Sequence, residues 1–102
     1  MGLAIHLQEE RGNEIHSVAD PKNLLARILP PLSDQSYPML ASIDLYGDTT
    51  FNRVQMPRFL AEWSVVEAKA QSPDESALVV EIANMARRCA DEVHVYLKFI
   101  GD

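Results

Sequence analysis

Leu3, Ile5 and Leu7 alternate with Ala4, His6 and Gln8, the period-two signature of a strand with one buried face. Polar residues 9–14 follow and include Gly12, and Ile15-His16-Ser17-Val18 has the composition of a return strand. Residues 3–18 therefore read as a β-hairpin whose loop type, and hence register, stays open. Val95, Leu97 and Phe99 repeat the alternation against His94, Tyr96 and Lys98, which predicts a closing strand over 94–100 paired with the hairpin.

Between these strands the period changes to that of helices. Asp20 followed by Pro21 predicts a capped helix start, with Leu24, Leu25, Ile28 and Leu29 as its apolar face. Pro30 and Pro31 end that helix, because the residue before a proline is pushed away from helical geometry. Phe59, Trp63, Val66 and Ala70, spaced by four, three and four, predict a helix over 56–70 with Pro57 in its first turn. Ser72-Pro73-Asp74-Glu75 is a capping box, and Leu78, Ile82, Met85 and Cys89 form the inner stripe of the helix it opens. Arg87 and Arg88 fall near the end of that helix, where cations suit the dipole. Residues 37–43 fit a short helix with Met39 and Ile43 inward, or an extended segment; Asp44-Leu45-Tyr46-Gly47-Asp48-Thr49 is a turn by composition. The fold class expected is α+β: an antiparallel sheet of three or four strands, hairpin plus closing strand, with three helices packed on one face. Residues 1–102 read as one domain.

Composition narrows the function classes. Apolar residues make up 47% of the chain, enough for a core. Nine Lys and Arg against fifteen Asp and Glu give a net charge of −6, with no basic patch to neutralise phosphates, so nucleic acid is not expected as a partner. An acidic surface favours a cationic protein partner if there is one. The single cysteine, Cys89, excludes an internal disulfide and fits a reducing compartment. Residues 1–6 lack the pattern of a signal peptide, and position 6 is His where a myristoylation signal has Ser or Thr. No apolar run approaches the ~20 residues that span a bilayer. The expectation is a cytoplasmic protein without membrane contact.

Candidate chemistry is sparse. His6, His16 and His94 all fall on predicted strands, and a Glu10-Arg11-Gly12 loop would set His16 directly across from His6. Clustered imidazoles bind zinc, which gives the alternative of a small metal-binding domain or metal-dependent enzyme; the competing reading is three solvent-facing strand histidines. Asp44 and Asp48 flank Gly47, but the ligand spacing of an EF-hand is absent and the same composition serves a turn. Cys89 shares the stripe of Met85 and Ile82 and reads as a buried thiol, Trp63 reads as core, and Glu62 and Glu67 are placed on the solvated side of their helix. No phosphate loop, nucleophile elbow or dinucleotide fingerprint occurs, so neither catalytic residues nor a cofactor are assigned.

The segment Tyr46-Gly47-Asp48-Thr49-Thr50-Phe51-Asn52-Arg53-Val54-Gln55 and the stretch Tyr96-Leu97-Lys98-Phe99-Ile100-Gly101-Asp102 resemble those of a group of small bacterial proteins of about this length. The resemblance covers the whole chain and implies a bacterial, cytoplasmic setting. It implies no activity, cofactor or partner. The residues themselves point first to a non-enzymatic interaction protein, immunity-like or regulatory, whose contact loop is Asp44, Tyr46, Gly47 and Asp48, an aromatic anchor in an acidic rim. A homodimer through an unpaired sheet edge is the third reading, with a monomer the other oligomeric option.

Overall fold

The computed structural model describes residues 2–31 and 33–101. Among them the elements run β1 (Ala4–Glu9), β2 (Glu14–Ala19), α1 (Leu25–Ile28), α2 (Pro38–Ala41), β3 (Asp48–Phe51), a 3-10 turn (Arg53–Gln55), α3 (Met56–Lys69), α4 (Pro73–Asp91) and β4 (Val95–Ile100). The strands form one antiparallel sheet in the order β2-β1-β4-β3, so β1 and β4 are central and β2 and β3 are the edges. This is the expected α+β class at the upper end of its strand count: Thr49, Thr50 and Phe51, too short a run to assign from sequence, pair with Phe99, Lys98 and Leu97.

One face of the sheet carries the core. Leu3, Ile5, Leu7, Phe51, Val95, Leu97 and Phe99 are buried, while their alternates Ala4, His6, Tyr96 and Lys98 are half-exposed on the other side. Helices α3 and α4 cover the buried face, as the stripes of Phe59, Trp63, Val66 and of Leu78, Ile82, Met85, Cys89 require. Phe59 and Trp63 stack at 5.4 Å between centroids, and Phe51 and Phe99 close the cluster edge-on at 5.9 Å. Each buried ring contributes about 1.5–3 kcal/mol of transfer free energy. The indole N–H of Trp63 donates to the Val79 carbonyl at 3.0 Å, so the largest core side chain carries no unmet donor. The Ser72–Glu75 capping box is formed as the sequence predicts, with the Glu75 N–H donating to Ser72 Oγ at 3.1 Å.

Three local expectations are corrected. The first helix does not begin at Pro21: residues 21–23 form a turn, and Asn23 at φ 56° is left-handed and breaks the helical path. Asp20 still caps, but across that turn: its buried carboxylate accepts the Leu24 N–H at 2.8 Å and the Leu25 N–H at 2.9 Å. The helix is one turn long and ends at Leu29, before Pro30 as predicted. Residues 38–41 are likewise a single helical turn, with Leu40 rather than Met39 fully buried and Ile43 buried just after it. Two long helices and two one-turn helices among the described residues thus agree broadly with the three packed helices expected.

Glu62 is the second correction. It is 4% exposed, not solvated, because its carboxylate accepts the N–H groups of Met39 at 3.3 Å and Leu40 at 3.0 Å. It thereby satisfies the orphan donors at the start of α2, and Arg58 Nε donates to it at 2.8 Å. Glu67 is half-buried.

The hairpin is the third. Its loop is the Glu10-Arg11-Gly12 one, closed by the Glu9 N–H on the Asn13 carbonyl at 2.9 Å, with Gly12 at φ 90°. Gln8 pairs with Glu14, but Leu7 then pairs with His16, so Ile15 is an extra, bulged residue. One inserted residue turns the rest of β2 to the other face, which seats Val18 against Ile5 on the core side.

Candidate interaction surface

The bulge decides the fate of the histidines. His6 lies opposite Ser17, and His16 opposite Leu7, so the two are on different faces of the sheet. His94 is outside β4 altogether, at φ 62° in the turn that leaves α4. Each imidazole lies beside one carboxylate: His6 Nδ1 is 3.4 Å from Glu14, His16 Nε2 is 3.6 Å from Glu81, and His94 Nδ1 is 3.6 Å from Glu10. Among the described residues no three His, Cys, Asp or Glu side chains converge as a metal would require. Burial pushes the Cys89 thiol up from an ordinary 9.0 to about 11, the opposite of an activated nucleophile. Its Sγ–H donates to the Val95 carbonyl at 3.3 Å.

The loop before β3 is built by its own polar side chains. Asp44 Oδ1 accepts the Tyr46 N–H at 2.9 Å, and the Asp44 N–H donates to Thr49 Oγ1 at 2.9 Å. Gly101 donates its N–H to the Gly47 carbonyl at 2.6 Å; a Cβ on Gly101 would meet the Leu45 and Gly47 backbone at the same distance. Asp48 is the first residue of β3 rather than part of the turn, and its carboxylate lies 3.4 Å from Lys98 Nζ. These contacts hold Tyr46 outward at 84% exposure. The four residues predicted for a contact loop are thus brought together, but the acidic rim is reduced: exposed Asp44 spends one carboxylate oxygen on its own loop and Asp48 shares a lysine.

No family model, curated protein or solved structure matches the chain. The chain's own surface therefore carries the functional reading. No helix among the described residues is long and apolar enough to cross a membrane.

A second surface, not anticipated from the sequence, lies at the other edge of the sheet. Among the described residues β2 pairs with β1 alone, and α4 runs beside it. The groove between them holds two cavities separated by the His16–Glu81 contact. One, of about 300 Å³, is floored by Val18, Leu24, Ala77 and Leu78, with Asp74 and Glu81 at its rim. The other, of about 380 Å³, lies over Leu7 and Met85 beside Asn84 and Arg88. The signal for it lay in α4, where Asp74, Ala77, Leu78, Glu81, Asn84, Met85 and Arg88 recur at helical spacing. Only the strand order reveals what that stripe faces.

Proposed function

We propose that the chain is a non-enzymatic protein-interaction module, immunity-like or regulatory, which works in the cytoplasm and holds a cationic protein partner. The observation that carries this reading is Tyr46: an aromatic at 84% exposure on a loop fixed by hydrogen bonds to Asp44 and Gly101. A large amphipathic ring on a loop whose backbone is already fixed needs no loop ordering to bind, and aromatic residues of this kind anchor interfaces. The net charge of −6 supports a cationic partner through long-range attraction. The separated histidines lend nothing to the metal-binding alternative.

The test is affinity capture from the native cell with the intact chain and its Tyr46→Ala variant. A specific protein retained by the former, lost by the latter, and eluted by raised salt is the expected result. Recovery of no specific protein at modest salt, or equal recovery by both, would overturn the reading. The melting temperature of the variant is expected to stay unchanged, since an exposed loop ring contributes within about 0.5 kcal/mol.

A further inference from the structure

The β2 edge is unlike an ordinary solvated strand. The Asp20 N–H donates to the Leu3 carbonyl at 2.9 Å, so Asp20 turns its backbone toward β1. Antiparallel alternation then turns Val18 and His16 the same way and leaves the N–H and C=O groups of Ser17 and Ala19 facing outward. The Ile15 bulge ends this regular stretch on one side and the turn at residues 21–23 ends it on the other. Beside it lie the two cavities of the β2–α4 groove, one next to Val18 and one next to His16. Those residues are two apart on one face, a spacing of about 6.6 Å, which is also the spacing of alternate side chains on any added strand.

We propose that this edge receives an extended segment of a protein partner as a fifth strand, with a long cationic side chain in the Val18–Leu78 cavity and an apolar one in the Leu7–Met85 cavity. The proposal rests on the interaction-module reading but uses the sheet edge opposite Tyr46. Charge and shape choose the occupant. The first cavity has an apolar floor with Asp74 and Glu81 at its rim, one on each side, two helical turns apart, about 10 Å. A Lys or Arg stem covers such a floor while its head reaches a carboxylate. Lys22 already meets Asp74 at 3.2 Å, whereas the neighbour of Glu81 is an imidazole, a cation only when protonated, so Glu81 is the acceptor for an incoming head group. The second cavity has Leu7 and Met85 as its floor, and Arg88 at its end is held by Glu92 at 2.9 Å. An uncharged apolar residue suits it. A second copy of the chain is the weaker occupant, since its β2 offers Val18 and His16 on the groove side, no long cation, and each copy carries −6. Backbone pairing supplies affinity and the two cavities supply selectivity.

The experiment uses the intact chain as bait for a displayed library of random peptides of about twelve residues, followed by amide mapping of the enriched peptides. Peptides with Lys or Arg two positions from an apolar residue are expected. Their addition slows exchange of the Ser17 and Ala19 amides, and Glu81→Lys weakens them by about ten-fold or more. Ser17→Pro removes an outward N–H and is expected to abolish binding; where proline disturbs the strand, Glu81→Lys, on the helix surface, keeps the question decidable. No enriched peptide, no basic preference, or indifference to Glu81→Lys would overturn strand addition. So would peptides that map to Tyr46, which would leave the interaction reading standing. Light scattering that shows a dimer with Ser17 and Ala19 already protected would give the edge to a second copy and also overturn it.

Discussion

The two edges of the sheet are finished in different ways. At β3 the strand is four residues long, its first carboxylate meets Lys98, and Asn52 caps the following 3-10 turn reciprocally with Gln55. Thr49 reaches out of the strand to bond the Asp44 N–H, so loop 44–47 folds against its side. At β2 the strand is six residues long, exposed except for half-buried Val18, and bordered by a groove instead of a loop. Natural sheets blunt their edges by shortness, charge, bulges or cover. β3 uses shortness and the charge of Asp48; β2 uses one bulge and Glu14, and keeps a longer regular stretch without a partner among the described residues. The loop beside the short edge presents a side chain, Tyr46, whereas the longer edge presents backbone.

Proline substitution breaks this comparison most sharply. Val18→Pro removes a N–H that points into the ladder and is expected to lower stability by about 3 kcal/mol or more. Ser17→Pro, one residue away, removes a N–H that points out and is expected to cost less than about 1 kcal/mol. Urea denaturation of the pair checks this, and equal losses would mean that β2 does not alternate as described.

Glu62→Leu tests the β3 side. It leaves the buried Leu40 amide and the part-buried Met39 amide without an acceptor and removes the partner of Arg58, with an expected loss of about 2–3 kcal/mol. Because α2 leads into loop 44–47, faster amide exchange at Tyr46 and Gly47 is expected, with Ser17 and Ala19 unaffected.

Cys89 is fully buried against Val95, at the start of β4, and serves as the control between the edges. With its thiol held at about 11, near neutral pH it has about a hundred-fold less thiolate than an ordinary cysteine at 9.0. Slow reaction with a disulfide reagent is expected until the protein unfolds, and Ser17→Pro should leave that rate unchanged. The fold favours the protonated form, so the native state keeps its proton when the unfolded chain has lost it. Stability is therefore full below 9.0 and falls as pH rises toward 11, and Cys89→Ala should flatten that part of the profile.

Much of this architecture is legible in the residues. The Ser72 capping box, the Phe59–Trp63–Val66 stripe and the alternation of Val95, Leu97 and Phe99 each satisfy a local rule, and local rules are what a sequence displays. The exposed turn at Tyr46 follows the same logic. What was hidden depends on distant partners. Glu62 looks solvated until Met39 and Leu40, more than twenty residues away, bring it two backbone donors. The Ile15 bulge separates His6 from His16 because Val18 must join Ile5 over the core, a demand that the polar hairpin loop does not encode. The β2–α4 groove exists only once the strand order has placed β2 at the edge.

Residue-resolved amide exchange of the free protein tests the central claim, an open edge at β2, most directly. The account predicts that Ser17 and Ala19 exchange orders of magnitude faster than Val18 and His16. Four equally protected amides would contradict it.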